Sequence, residues 1–476
     1  MPGPRKSTPP CKHTKAPPVA AACRRGTAGW RTAVIATFLG AALLAAPARA
    51  ENILDIYRLA LANDPEFLAA RATFLAEKQK IPEARALLLP ELFASANYQR
   101  NDSKTTIDRG GPNERVQDVQ YNASGYALSL RQPLFNSAAW AGLKQAKASV
   151  RKAASEFASA KQSLLTRTAA AYFAVLRAKD NLDLAIAEKA AVKGQLDLTS
   201  ARLEAGLSTI TEVHEARAQY EFTEAEEIDA RNRLDDAREA LRTLTGRSVG
   251  QLKRLRPENP LLTPDPPDIE KWVENALQHN LALKAAEAAV DIAKEEIRIQ
   301  RAGHWPTLDL VGNSSLTDST GSSFSIADPN ADIRRENNSI GLELNIPLIQ
   351  GGLVSALTKE SKYRYTAAEY ASEKQRRSTI RSTRSAYLGV ISSAKRIVAL
   401  KQSVIAGESA LEAKQEGFQA GISTNKDVLD AQRNLYRAKR DYSDSRYSYL
   451  VNFLLLKEAA GILSEEDLAR INDWLQ

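Results

Sequence analysis

The sequence predicts a mixed α and β membrane protein in which one helix–strand–strand–long helix–helix unit is written twice, leaving four β-strands in each chain. Three observations carry that class. The chain repeats itself in order, each copy holds a very long heptad-patterned run, and each copy holds two alternating segments of membrane-spanning length.

The first fifty residues differ from the rest and are read first. Seven Lys and Arg from Arg5 to Arg31 precede an apolar run, Ala33 to Ala46, which ends in Ala48-Arg49-Ala50. That pattern predicts a secretory signal peptide over 1–50, cut after Ala50. Its apolar run is shorter than the roughly 20 residues a spanning helix needs. Without its eight Lys and Arg, the total of 65 falls to 57, against 57 Asp and Glu. A neutral mature chain offers no basic footprint, so nucleic acid is not a predicted partner. Cys11 and Cys23 both lie in the leader. The mature chain therefore has no disulfide, no thiolate ligand and no lipid-modifiable cysteine, which argues against a lipoprotein.

Residues 51–246 and 268–463 form two copies at a spacing near 215 residues. Ala60-Leu61 returns as Ala276-Leu277, Leu89-Pro90-Glu91-Leu92 as Trp305-Pro306-Thr307-Leu308, Tyr172 as Tyr387, Ala205-Gly206 as Ala420-Gly421 and Gly246 as Gly461. Between the copies, 247–267 holds Pro257, Pro260, Pro264, Pro266 and Pro267 and reads as a linker. Residues 464–476 are assigned to a C-terminal helix.

A heptad seam runs through Val150, Phe157, Leu164, Ala171, Ala178, Ala185 and Val192, with Ala154, Thr168, Val175, Leu182, Leu196 and Leu203 at the intervening offset. A sustained seven-residue repeat predicts left-handed supercoiling, and a helix from Ser137 to Glu204 runs about 100 Å. The pattern recurs from Gly351 to Gln419. Each rod stops at a glycine, Gly206 or Gly421, and a return helix starts at once. Thr209 with Glu212, and Thr424 with Asp427, have capping-box spacing. Gly206, Leu207, Ser208 and Thr209, and likewise Gly421, Ile422, Ser423 and Thr424, are thus helical hairpin tips.

The strands are predicted at 92–100, 121–132, 307–315 and 339–346, near the 9–11 residues a tilted strand needs to cross a membrane. In Ile340-Gly341-Leu342-Glu343-Leu344-Asn345-Ile346 one face is Ile, Leu, Leu and Ile. The polar stretches 101–118 and 316–337 read as external loops. Four strands cannot close a barrel, and lipid does not tolerate an open edge, so the chain must borrow strands from other copies.

No catalytic, cofactor or metal constellation is present. His214, His279 and His304 are the only mature histidines and lack ligand spacing. Glu212 and Asp427 are explained as caps. Glu215 and Asp430 stand one turn further on the same face, as a solvated surface or as a pore lining.

The motifs Leu88-Leu89-Pro90-Glu91-Leu92, Ala171-Tyr172-Phe173, Gly303-His304-Trp305-Pro306-Thr307-Leu308, Pro347-Leu348-Ile349-Gln350-Gly351-Gly352, Asp427-Val428-Leu429-Asp430-Ala431 and Arg446-Tyr447-Ser448-Tyr449-Leu450 resemble the TolC family of outer-membrane exit channels from Asn52 to Trp474. The resemblance implies a homotrimer: a 12-stranded barrel in outer-membrane lipid, continued by a coiled-coil helical barrel through the periplasm. It implies a passive duct with no cofactor, met at its tips by a periplasmic adaptor and served indirectly by an inner-membrane RND or ABC transporter. Asp427 and Asp430 match acids at the narrowest part of the family's tunnel, with Glu212 and Glu215 beside them, and their crowding is expected to raise some of their pKa values. At the family's lock positions this chain carries Phe418, Ser423 and Glu212, so the family's aromatic hydroxyl and arginine are missing and Lys426 is left as a partial substitute. A secreted or periplasmic coiled-coil scaffold without a pore is the alternative; the strand set separates the two.

Overall fold

The computed structural model describes residues 50–107, 115–257, 263–320 and 332–476. The proposed leader, apart from Ala50, lies outside them. Its elements follow one order twice. First come α1 (Ile53–Asn63), α2 (Pro65–Lys78), α3 (Lys80–Ala86), β1 (Glu91–Ile107), β2 (Arg115–Phe135), α4 (Ser137–Glu204) and α5 (Ile210–Thr245). Then come α6 (Ile269–His279), α7 (Leu281–Arg301), β3 (Thr307–Thr320), β4 (Ile333–Asn345), α8 (Leu353–Gln419) and α9 (Asn425–Ala459), with α10 (Glu465–Asn472) last. The fold is mostly helical with one small sheet. No described helix is long and apolar enough to cross a membrane.

The four strands form a single antiparallel sheet in the order β1-β2-β3-β4, so both β1 and β4 have an unpaired edge. The strands are longer than their apolar alternation suggests. The β1–β2 ladder continues from Glu91↔Arg131 to Ile107↔Arg115, and β3–β4 continues to Ser319↔Ile333. Much of the predicted loops 101–118 and 316–337 is therefore strand; residues 108–114 and 321–331 are outside the described set. Backbone pairing places no demand on side-chain polarity, so a polar hairpin arm extends the ladder that the apolar segment starts.

The register sorts the side chains onto two faces. Leu92 stands opposite Leu130, Ala94 opposite Leu128 and Ala96 opposite Tyr126, and on the other hairpin Leu308 opposes Leu344 and Leu310 opposes Leu342. Leu92, Tyr126, Ile340 and Leu342 on this face are 63%, 61%, 78% and 66% exposed. The opposite face carries Asn97, Ser129, Arg131, Asp309 and Glu343, with Arg131 bonded to Asp309 at 2.9 Å.

The main apolar core lies around the middle of α4. Leu164, Tyr172 and Phe173 pack with Ile53, Ile56 and Tyr57 of α1, Leu241 of α5, Trp272 of α6, Leu450 and Leu454 of α9 and Ile471 of α10. Of the predicted seam, Leu164, Thr168, Val175, Leu182, Ala185 and Val192 are buried, whereas Ala154 is exposed. Burial of Leu165, Ala169, Tyr172 and Leu176 as well shows that mid-helix α4 is covered on several sides.

The described first part of the linker is stapled to both ends of the chain. Glu51 N donates to Gln251 O at 2.8 Å, Lys253 N donates to Glu51 O at 3.2 Å, and Arg254 and Gln476 exchange backbone bonds of 3.0 and 2.9 Å. Buried Tyr172 adds its hydroxyl to Lys253 O at 2.8 Å. Below this level α4 and α9 meet through polar pairs. Tyr447 and Ser443 donate to Asp180 at 2.6 and 3.1 Å, and Arg440 meets Glu188, which is 1% exposed, at 2.7 Å. Burial pushes the Glu188 carboxyl above its ordinary range, and the Arg440 guanidinium offsets part of that rise.

Candidate functional site

Both rods end as the glycines require. Gly206 and Gly421 have φ of 72° and 77°, the left-handed conformation that costs glycine least. Leu207 N donates to Arg202 O and Ile422 N to Gly417 O, each at 2.7 Å, which is the Schellman closure. Leu207 and Ile422 are then left exposed at the two turns.

Both capping boxes form. The Glu212 carboxylate accepts from Thr209 N at 3.3 Å and from the Ser208 hydroxyl. Asp427 accepts from Thr424 N at 3.0 Å and Thr424 Oγ1 at 2.8 Å, and Lys414, rather than Lys426, stands 3.6 Å away. The Thr424 amide, then its hydroxyl and Lys414, hold the Asp427 carboxyl below the usual range. Within one chain this is opposite in direction to the rise expected from crowding. Asp430 is bonded to Arg433 at 2.6 Å on its own helix, and Glu215 is exposed.

The structure does not join the three lock positions to one another. Among the described residues no hydrogen bond or ion pair links Glu212 to Phe418 or Ser423. Ser423 N instead donates to Gly417 O at 3.0 Å, closing its own turn. The buried Phe418 ring lies under the Arg202 guanidinium, 4.5 Å from the ring centroid, and Arg202 Nη1 donates to Phe418 O at 3.2 Å.

Sequence reasoning missed the group that does join the two tips. Asn425, the first residue of α9, is fully buried; Gln195 Nε2 donates to its Oδ1 at 2.7 Å and Thr199 Oγ1 lies 3.1 Å from the same atom. Asn425 Nδ2 donates to the Glu212 carbonyl at 3.2 Å. Near the tip the buried residues of α4 are thus the polar Gln195 and Thr199, while Arg202 and the seam residues Leu196 and Leu203 are half-buried. The signal available was spacing: Thr199 continues the seam seven residues after Val192, and Gln195 and Arg202 each stand one position before the seam residues Leu196 and Leu203. No described group of His, Cys, Asp or Glu could hold a metal ion.

The outer membrane efflux protein family matches this chain twice, over residues 56–247 and 272–462. The outer membrane protein TolC of Vibrio cholerae is 36% identical over 441 residues, covering 92% of this chain and 98% of that protein. The alkaline protease secretion protein AprF of Pseudomonas aeruginosa is 33% identical over 430 residues, covering 90% of this chain and 88% of that protein. In fold, the chain is similar to the outer membrane protein VceC of Vibrio cholerae, with a TM-score of 0.72 at 19% identity, over 86% of this chain and 96% of VceC. With duplicated helical hairpins, a four-stranded sheet and relatives matched along nearly their whole length, the chain belongs to the outer membrane efflux protein family and is a TolC-family outer-membrane channel.

Proposed function

We propose that three copies of this chain form the passive outer-membrane exit duct of an efflux or type I secretion assembly. The observation that carries it is the sheet: two unpaired edges, with exposed Leu, Ile and Tyr on one face and Arg131, Asp309 and Glu343 on the other. In water such a sheet aggregates; in lipid its edges must be closed. Pairing β1 of one copy with β4 of the next closes twelve strands, apolar face to lipid and polar face to a lumen. A soluble coiled-coil scaffold has no use for that face. The signal peptide, the two repeats and the linker complete this reading, with a long periplasmic extension formed by the helical hairpins. The tips from Gly206 to Thr209 and Gly421 to Thr424 dock a periplasmic adaptor, and energy comes from an inner-membrane RND or ABC transporter. The relative named for protease secretion supports a protein cargo among those carried. Membrane fractionation with cross-linking tests the architecture: the protein should sediment with outer membranes and give a ladder ending at three. Recovery as a soluble periplasmic monomer contradicts it.

In this trimer Asp427 and Asp430, with Glu212 and Glu215, line the periplasmic constriction and make it cation-selective, since low-dielectric walls focus the field of crowded carboxylates. Asp427→Asn/Asp430→Asn should shift the reversal potential under a salt gradient toward zero and abolish block by trivalent cations. An unchanged reversal potential and unchanged block assign both acids to capping and surface alone.

A further inference from the structure

Where the sheet hands over to the rods, both repeats carry one pattern. Leu134-Phe135 at the end of β2 and Leu348-Ile349 just beyond β4 are exposed, and Phe135 lies opposite Leu308 on the apolar face of the sheet. Trp305 joins Phe135 with ring centroids 6.5 Å apart, and Trp140 is exposed on the first turn of α4. Two lysines follow in each rod, Lys144 and Lys147 on α4 and Lys359 and Lys362 on α8, matched one to one at a spacing of 215 residues. All four are exposed. Nearby Arg151 and Arg364 are held by Asp291 and Glu360 at 2.7 and 2.6 Å, whereas none of the four lysines has an ion-pair partner among the described residues.

Helix geometry places these lysines. Trp140, Lys144, Lys147 and Arg151 are four, three and four residues apart and so share one stripe of α4. Both flanks of that stripe are covered, since Ala139, Ala146 and Ala153 on one side and Ala141 and Ala148 on the other are buried. The stripe is open, and its first member is an exposed tryptophan, the residue that marks a membrane–water boundary. Repeat equivalence gives Lys359 and Lys362 the same position on α8. The four stand six to ten residues beyond the first residue of their helix, about 9–15 Å along its axis. Helical side chains lean toward the N-terminus, here toward the sheet, and a lysine stem lies along apolar surface while its ammonium reaches water. Lipid headgroups occupy about 5–8 Å beyond the hydrocarbon, so the ammonium groups rise into that layer.

We infer that Lys144, Lys147, Lys359 and Lys362 form a collar that binds anionic phospholipid headgroups in the periplasmic leaflet of the membrane. Charge and continuity identify the occupant. Unpaired cations begin where the exposed apolar and aromatic surface ends, and a phospholipid is the ligand whose tail fits the one while its phosphate fits the other. The inference rests on the exit-duct reading and adds the class of lipid that the duct selects. With three copies the collar encircles the duct, and it fixes the depth at which the sheet sits.

The test is tryptophan fluorescence of the protein reconstituted into mixtures of phosphatidylcholine and phosphatidylglycerol, with one of the two brominated on its tails as the quencher. Trp140 and Trp305 are exposed at the membrane edge, whereas Trp272 is buried in the helical core. Wild type should favour phosphatidylglycerol about fivefold at low salt, the effect of one lysine beside an anionic surface. The preference should shrink in concentrated potassium chloride, which screens exposed charge. Lys144→Gln/Lys147→Gln/Lys359→Gln/Lys362→Gln should bind the two lipids nearly equally, with either pair alone giving part of the loss. Lys193→Gln/Lys401→Gln, which removes exposed lysines farther along the same rods, should keep the preference. Equal quenching of wild type by both lipids, or a preference that survives the quadruple variant, overturns the collar. Loss of the preference in the Lys193/Lys401 control assigns it to overall charge and also overturns the collar. If the quadruple variant does not assemble, the Lys144/Lys147 pair decides. Wild type quenched by neither lipid overturns the duct reading itself, a result distinct from equal quenching.

Discussion

Arg440→Met should be among the most destabilising single substitutions in the helical region, at about 3–5 kcal/mol, because it strands a carboxylate that is almost fully buried. Glu188 is 1% exposed, and Arg440 at 2.7 Å is its direct ion-pair partner. Glu226, 3.6 Å from Arg440, adds a like charge, and Arg433 a weaker opposite one. The pH dependence has a definite sign. Burial already raises the Glu188 carboxyl in the folded protein, and losing Arg440 raises it further. A folded-state pKa above the unfolded value means that the folded protein binds the proton more tightly, so the penalty is full above the folded pKa and fades as pH falls toward the unfolded one. Melting at about pH 8 and about pH 5 should show a large deficit that shrinks in acid. A deficit that is constant or grows in acid excludes an uncompensated Glu188 as its cause. Glu188→Gln/Arg440→Met should recover much of the loss at the higher pH.

Gly461→Ala should have a comparable effect for a different reason. Gly461 has φ of 72°, and a Cβ there would stand 2.4 Å from the His279 carbonyl oxygen and 2.8 Å from Asn280 Cα. That backbone cannot retreat easily, because Asn280 Nδ2 is bonded to Ala459 O at 2.9 Å and its Oδ1 caps α7 through Leu283 N. Left-handed strain of about 1–2 kcal/mol and an overpacking cost of similar size together give about 3 kcal/mol. Gly421 supplies the control. Its φ is 77°, and a Cβ there would meet nothing within 4 Å, so Gly421→Ala should show the strain alone. Equal melting of the two variants would contradict the close approach at Gly461.

Local rules made some of this legible and tertiary context hid the rest. Gly206, Gly421, Thr209 and Thr424 act within a few residues of themselves, so rod ends and caps could be read directly. The strand faces were legible because alternation has a strict period of two, but strand ends were not, since ladder bonds continue through polar side chains after apolar alternation stops. The rod seam was legible around Leu164 to Val192. Toward the tip it was not, because the residues buried there, Gln195, Thr199 and Asn425, look like surface until a partner across more than two hundred residues of sequence is known. The same reason hid Glu188, which reads as one more solvated acid on a long helix.

The stapled linker also bears on the order of events during export. Its partner strands come from opposite ends of the described chain: Glu51 bridges Leu252 on one side, and Leu475 bridges Leu255 on the other. The second of these closures must wait until the whole second repeat has crossed the inner membrane, and it brings together segments whose loop-closure entropy is then lost at once. The sheet, by contrast, can pair its hairpins early. Strand pairing within each hairpin therefore does not depend on that closure, and the apolar face of the sheet, with Leu92, Ile340 and Leu342 exposed, is formed by contacts far more local than those that secure the helical region.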